Sequence, residues 1–380
     1  MFNGLSQLKK GLFKGNIQGL NGGLMQGLNS GLNPRTKKYS TIARIVIDKT
    51  KCGTTNLTNF PVCVSLNNIV FANISNGGRV FSTNGYDILF FSDAGCTSPL
   101  FFELEYYNVS GIVVAWVKVP IVYSSVDTVF YMKFGIPSVA ISGNSTSTWD
   151  SNYKRVLHLP NGTVLTANDS TINADNGVIS STVAATGIID GGALFNSSTD
   201  YINFTGTPLT AGQAFSLSWW EKVTANTNAF PSRFNIPING SVKRFFVLAS
   251  TNATYSPYSF GPGPSAAPPI IVRPTGSPAI TTNIGTWRKI LITGSDPTSN
   301  TTTDYKFYQD SVSYSIIGAG GLGTVTVNRV GYDGADNGAD CTMDEIRISD
   351  GLQRSADWEL TEYNNQLSPT TFYSVQLINN

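Results

Sequence analysis

The stretch MDEIRISDGLQRSADWELTEYNNQLSPTTFYSV, Met343 to Val375, decides how this chain is read. It opens on two adjacent acids, Asp344 and Glu345. On a strand, neighbouring side chains point to opposite faces, so these two are not expected to act as a pair unaided. Working outward, the stretch follows a series of short strand-like runs: GIIDGGALFNSSTDYINF (187–204), AFSLSWWEKV (214–223), TWRKILITGS (286–295), YKFYQDSVSY (305–314) and VNRVGYDG (327–334). Six more precede them: ARIVID (43–48), FPVCVSL (60–66), YDILFFSD (86–93), FFELEYY (101–107), IVVAWVKVP (112–120) and TVFYMKFG (128–135). Clusters of Asn, Gly, Ser and Asp separate them, which is the punctuation of turns. That rhythm predicts a sandwich or a barrel. Aromatic residues make up 11% of the chain. With Val, Ile and Thr they suit pleated, half-buried strands.

The closing stretch resembles the end of LamG-like, concanavalin A-type lectin/glucanase domains. The order of the preceding segments, with WDSNYKRVLHLPN (149–161) and ANDSTINADNG (167–177) in front, extends the resemblance over residues 149–375. Residues 40–136 resemble a bacterial family of unknown function that often precedes LamG-like domains. Together these resemblances imply an all-β chain: an N-terminal Gly/Leu-rich anchor (1–38), a β-sandwich domain (39–136), a polar linker (137–148) and a LamG-like jelly roll (149–380). They imply no single activity, because the same sandwich serves lectins, hydrolases and structural modules.

Composition narrows the function classes. Only 13% of the 380 residues are charged and the net charge is +1, so no global field draws the chain to nucleic acid or anionic membrane. No run reaches the ~18 apolar residues of a membrane span. The first residues do not read as a signal peptide, since Lys9, Lys10 and Lys14 interrupt any apolar run. The four cysteines are too few for a disulfide scaffold, and no Cys/His cluster suggests zinc; Cys52 and Cys63 flank a turn and are read either as a bridge or as reduced thiols.

The leader repeats Gly-Leu six times. Leu20, Leu24, Leu28 and Leu32 fall every four residues, the spacing of one helix face. Its glycines oppose a helix in isolation. Three readings stay open: docking into a larger assembly, lying on a membrane surface, or a flexible leader. Docking is preferred. Residues 256–285 hold seven prolines and are expected to form an extended loop or an edge.

Catalytic signals are weak. The glucanase pattern Glu-x-Asp-x-x-Glu is missing. Glu103 and Glu105 share a strand face, but a solvated face explains them better. His158, the only histidine, reads as a packed structural residue rather than a triad member. No phosphate-binding loop is found. The LamG resemblance implies one structural calcium held by Asp169, Asn173 and Asp344; the alternative is that Asp169 caps a turn and Asp344 binds backbone amides. Sugar binding needs aromatic platforms, and the candidates are Trp219, Trp220, Tyr258 and Tyr332.

The sequence is read as a non-enzymatic, phage-type virion surface protein (decoration, fibre or spike). It would form a homo-oligomer, hold other virion proteins through residues 1–38, and attach to host-surface glycans. A bacterial cell-surface adhesin is the alternative, and a glycoside hydrolase is third because its carboxylates are missing.

Overall fold

Strand TVFYMKF (Thr128–Phe134) shows how the chain folds locally. Thr128, Phe130, Met132 and Phe134 are buried, and the residues between them are half-exposed. This is the period of two that a sheet with one covered face requires. The computed structural model describes residues 40–137, 145–160, 164–224, 232–238, 241–247, 258–262, 284–299, 301–314, 325–331 and 338–378. The leader leucines Leu20, Leu24, Leu28 and Leu32 lie outside them.

The described chain is all-β and antiparallel, built as two sandwiches. In the first, one sheet runs in the order Tyr373–Ile378, Thr41–Ile47, Thr128–Phe134, Leu89–Phe91. The other runs Leu57–Asn67, Ile112–Val122, Phe102–Asn108. Ile45, Phe130, Val62 and Val117 belong to one buried cluster that joins the two. Each such side chain contributes about 1.5–3 kcal/mol by leaving water.

In the second sandwich, the longer sheet runs Val312–Tyr314, Tyr305–Gln309, Trp287–Gly294, Phe215–Val223, Cys341–Asp350, Gly191–Phe195, Val183–Thr186. Strand Tyr153–Leu157 also pairs with Cys341–Asp350. Its partner sheet runs Tyr258–Pro262, Ser241–Val247, Ser232–Ile238, Val325–Gly331, Tyr201–Leu209, Val178–Ser180. Within the proline-rich region, strand Tyr258–Pro262 ends this sheet's order among the described residues, a place where a missing N–H does least harm.

The packing does not divide at residue 148. The last strand pairs with the first, with Val375 opposite Ile45. Trp149, Tyr153, Val156 and Ile189 join the core of the first sandwich. The described end of the expected linker packs down as well: Ser145 N–H donates to Phe102 O at 3.2 Å, and Lys118 Nζ donates to Ser147 O at 2.8 Å.

Helix Ala356–Leu367 is the wedge between the two sandwiches. Ser355 caps it, accepting from Trp358 N–H at 3.1 Å, and Pro369 follows its end. The helix is not apolar, yet it is covered on two sides. Trp358, Thr361 and Asn365 face the first sandwich: Trp358 packs on Phe60 at 4.8 Å, and Thr361 accepts from Gly53 N–H at 3.0 Å. Glu359, Glu362 and Gln366 face the second. The i, i+3, i+4 spacing separates the two sets.

This wedge also protects a sheet edge. Leu57–Asn67 is an outer strand, and its free backbone groups would invite pairing. The Asn365 side chain accepts from Cys63 N–H (2.7 Å) and donates to Cys63 C=O (3.0 Å). The Tyr373 hydroxyl does the same for Ser65, at 2.7 and 3.0 Å. Two side chains stand where a further strand would be. Cys63 is buried there as a thiol, and no disulfide joins the cysteines among the described residues.

Candidate functional site

Strand Cys341–Asp350 carries an irregularity that creates the site. Met343 and Ile346 both face the core of the second sandwich, three positions apart instead of two. The register against Phe215–Val223 shifts at this place, and Glu345 takes a φ of +51°. Such a bulge absorbs one residue and re-aims its neighbours. Asp344 and Glu345 therefore do not simply alternate. The expectation that they point to opposite faces fails here, because it assumed a regular strand.

Glu345 turns toward His158. Glu345 Oε1 lies 2.8 Å from His158 Nδ1, and Arg347 donates to Glu345 Oε2 at 2.8 Å. From the first sandwich, Glu105 Oε2 lies 3.6 Å from the same Nδ1, and Glu103 Oε2 lies 3.4 Å from Nε2. The imidazole stacks on Trp116 at 5.3 Å and 19°. Arg347 sits over Trp116 and Trp149, at 4.4 and 5.0 Å from the ring centroids. His158 is buried, as expected of a packed histidine, but it is packed among carboxylates.

Glu103 and Glu105 are not on a solvated face. Their side chains are 13% and 1% exposed. Glu105 accepts from Trp116 Nε1 at 2.7 Å. Glu103 accepts from Trp149 Nε1 at 2.7 Å and from Ser170 Oγ at 2.6 Å. The second sandwich covers them, which no local pattern could reveal.

Electrostatics follow from burial. Burial opposes charge on His158, but Glu345, Glu105 and Glu103 together hold its pKa well above the ordinary histidine value. Burial also works against Glu103 ionising, yet His158 and three hydrogen bonds keep its pKa below the usual glutamate value. Glu105 goes the other way: burial pushes it well above, only partly offset by His158. Asp344 is raised by burial and by the neighbouring Glu345 charge.

The ionic contacts continue to the wedge helix. Arg347 also binds Glu362, and Lys289 Nζ lies 2.6 Å from Glu359 and 2.7 Å from Glu362. A cleft of about 280 Å³ opens beside His158. Glu103, Glu105, Thr146, Thr166, Asn168 and Ser170 are on its walls. Strands of the first sandwich and loops of the second thus line one polar opening.

The residues proposed from sequence fall elsewhere. Trp219 and Trp220 are fully buried, so neither offers a ring to a sugar. Trp219 packs on Phe234 at 4.9 Å inside the second sandwich. Trp220 faces the opposite way, stacks on Tyr363 at 5.7 Å and donates to Gln366 at 2.5 Å. The wedge helix covers the face that alternation had left open to water. Tyr258 lies on an edge strand whose side chains are outside the described residues, as is all of Tyr332.

Asp169, Asn173 and Asp344, the set suggested for calcium, are each engaged within the protein. Asp169 accepts from the N–H groups of Val156 (3.0 Å), Thr171 (3.0 Å) and Asp175 (3.1 Å). Asn173 donates to Lys154 O at 3.0 Å. Asp344 accepts from Ile188 and Ile189 N–H, at 2.9 and 3.0 Å. Both carboxylates serve as turn and loop acceptors.

No protein-family model and no curated protein matches this chain. Solved structures show a likeness. One is domain 4 of AbnA, a GH43 extracellular arabinanase from Geobacillus stearothermophilus in complex with arabinotriose (17% identity, TM-score 0.42, covering 56% of this chain and 98% of that domain). Another is the botulinum neurotoxin serotype D ligand binding domain in complex with N-acetylneuraminic acid (15% identity, TM-score 0.39, covering 58% and 52%). A third is Trypanosoma rangeli sialidase in complex with sialic acid (12% identity, TM-score 0.40, covering 70% and 45%). This chain spans about half the length of the toxin and sialidase chains. What the chain's own fold and site define is a protein of two antiparallel β-sandwiches with a polar cleft where they meet.

Proposed function

We propose that this chain is a non-enzymatic, lectin-like carbohydrate-binding protein whose ligand enters the cleft between the sandwiches. One observation carries the reading: the cleft presents hydroxyl, amide and carboxylate groups from both sandwiches, at Glu103, Thr146, Thr166, Asn168 and Ser170. A sugar ring offers many hydroxyls, and convergent polar groups in a concave site fix such a ligand. On this reading the ligand sits at the junction of the sandwiches and not at Trp219 or Trp220, two of the four aromatic candidates read from sequence.

The non-enzymatic part rests on how the carboxylates are engaged. A glycosidase needs two acids flanking the scissile bond, one to donate a proton and one to attack or to activate water. Here Glu345 is bound by His158 and Arg347, Glu105 by Trp116, and Glu103 by Trp149 and Ser170.

The finer reading is a phage virion surface protein, of the decoration, fibre or spike kind, displaying this module to host glycans. It rests on the LamG resemblance and on the Gly-Leu leader, in which Leu20, Leu24, Leu28 and Leu32 would seat the chain in an assembly. Repeated copies would turn a weak glycan site into an avid one.

Glycan-array binding by the full chain, alongside Asn168→Ala and Glu103→Gln variants, tests the site. Binding that both variants weaken, with no sugar released, is the expected result. Absence of binding to any glycan overturns the lectin reading, and release of sugar makes the chain a hydrolase. Particle association that is unchanged when residues 1–33 are deleted overturns the anchor.

A further inference from the structure

We propose that Glu105, His158 and Glu345 form a binding site for a divalent transition-metal ion, with zinc as its reference ion, at the floor of the interdomain cleft. The proposal is independent of whether a sugar binds above it. Three observations carry it.

The donors converge. One atom from each residue lies within 4.8 Å of the others. His158 Nδ1 is 2.8 Å from Glu345 Oε1 and 3.6 Å from Glu105 Oε2. Donors of a tetrahedral zinc ion stand about 3.3 Å apart, between these two spacings. An imidazole nitrogen with two carboxylates suits zinc, whereas calcium favours an all-oxygen shell. This donor set is therefore distinct from the oxygen set that the sequence suggested.

The site is incomplete as it stands. Glu105 Oε1 is buried and has no hydrogen-bond partner among the described residues, in a side chain only 1% exposed. A buried, unpaired carboxylate oxygen is costly unless something pairs with it. One continuous chain of ion pairs holds five carboxylates (Glu103, Glu105, Glu345, Glu362, Glu359) and three basic side chains (His158, Arg347, Lys289), so acids outnumber bases around the converging donors.

The surroundings fit a metal-bound histidine. Such a ring donates its other N–H to a carboxylate, which fixes tautomer and orientation. Here Glu103 Oε2 lies 3.4 Å from His158 Nε2, an ion-pair distance without a formed hydrogen bond, and Trp149 and Ser170 hold Glu103 beside the ring. The cleft, lined by Glu103, Glu105 and His158, gives an ion its path in. Glu105 comes from the first sandwich and the other two ligands from the second, so the ion would bind the two together.

The test uses the full chain, stripped with EDTA and dialysed. Zinc chloride is titrated by calorimetry, and cobalt(II) serves as an optical probe. Saturable zinc binding with a raised melting temperature is expected, along with visible cobalt bands that zinc abolishes and calcium does not. Glu105→Gln and His158→Gln should each weaken zinc at least about tenfold, and Glu103→Gln should weaken it measurably. Circular dichroism establishes that each variant is folded; if His158→Gln is not, the conservative Glu105→Gln decides. Failure of the folded wild type to bind zinc, displacement of cobalt by calcium, or binding unchanged in Glu105→Gln overturns the site.

Discussion

His158 Nδ1 lies 2.8 Å from Glu345 Oε1, across 187 residues of sequence. The contact joins the end of strand Tyr153–Leu157 to the middle of strand Cys341–Asp350, where Leu157 and Ile346 are partners in register. From the first sandwich, Glu105 approaches the same Nδ1 and Glu103 approaches Nε2. One side chain thus bonds within the second sandwich and across to the first.

Replacing it should be severe. His158→Ala removes the group that faces three carboxylates and leaves Glu105 and Glu345 buried. Removing one partner of a buried ionic group costs about 3–5 kcal/mol. Urea unfolding of metal-free protein should show that loss. A change below about 1 kcal/mol would mean that His158 is not the junction described.

Trp220→Ala separates structure from ligand binding. The indole is fully buried against Tyr363 and Gln366. Its truncation should cost about 3–5 kcal/mol by leaving a cavity. A variant of unchanged melting temperature but lost glycan binding would restore the platform role read from sequence.

Tyr373→Phe tests the protected edge. Ser65 N–H and C=O both rely on the phenolic hydroxyl. Losing it leaves both without that partner, at a cost of about 1–3 kcal/mol. Hydrogen exchange should speed up at Ser65 while Phe215–Val223 stays protected. Equal protection of Ser65 in both proteins would sink the idea.

The wedge helix gives stability a pH optimum. Burial and the Glu362 charge raise Glu359 to about 7, against the pull of Lys289. Between the ordinary glutamate value and about 7, the folded chain holds a proton that the unfolded chain has released, so stability falls as pH rises through this window. Glu362 acts in the opposite sense. Despite burial, Lys289 and Arg347 hold it at about 2. Its contribution is full above the ordinary glutamate value and is lost as pH falls toward 2. Each arm is worth about 3 kcal/mol as an order of magnitude. Urea midpoints measured against pH should lose the neutral-side slope in Glu359→Gln and the acid-side slope in Glu362→Gln. Retention of both slopes in both variants would refute the assignment.

Strand identity was written locally. The alternation in TVFYMKF appears in the burial of Phe130, Met132 and Phe134, because a pleated strand shows every second residue to one side. The runs quoted from residues 43–48 and 60–66 lie on or against strands Thr41–Ile47 and Leu57–Asn67 for the same reason. Of the seven prolines in 256–285 only Pro262 is among the described residues, and its strand Tyr258–Pro262 ends the sheet order there, a place where the donor that proline lacks is least needed.

The site was not legible in this way. Trp219 and Trp220 were offered as sugar platforms, because sequence could not show that a helix near residue 360 covers the outer face of their strand. Asp344 and Glu345 misled because a bulge cannot be read from spacing. Glu103 and Glu105 looked solvated because their cover comes from Trp149, His158 and Ser170, on the far side of a boundary that the sequence placed between domains. Residue type and periodicity by themselves determined an all-β chain and the faces of its strands, since those depend on neighbours one and two positions away. Only the tertiary structure decided that Tyr373–Ile378 returns to Thr41–Ile47, and that acids from both sandwiches gather around the one histidine. Those pairings span hundreds of residues, and their energy comes from burial against partners that no local pattern specifies.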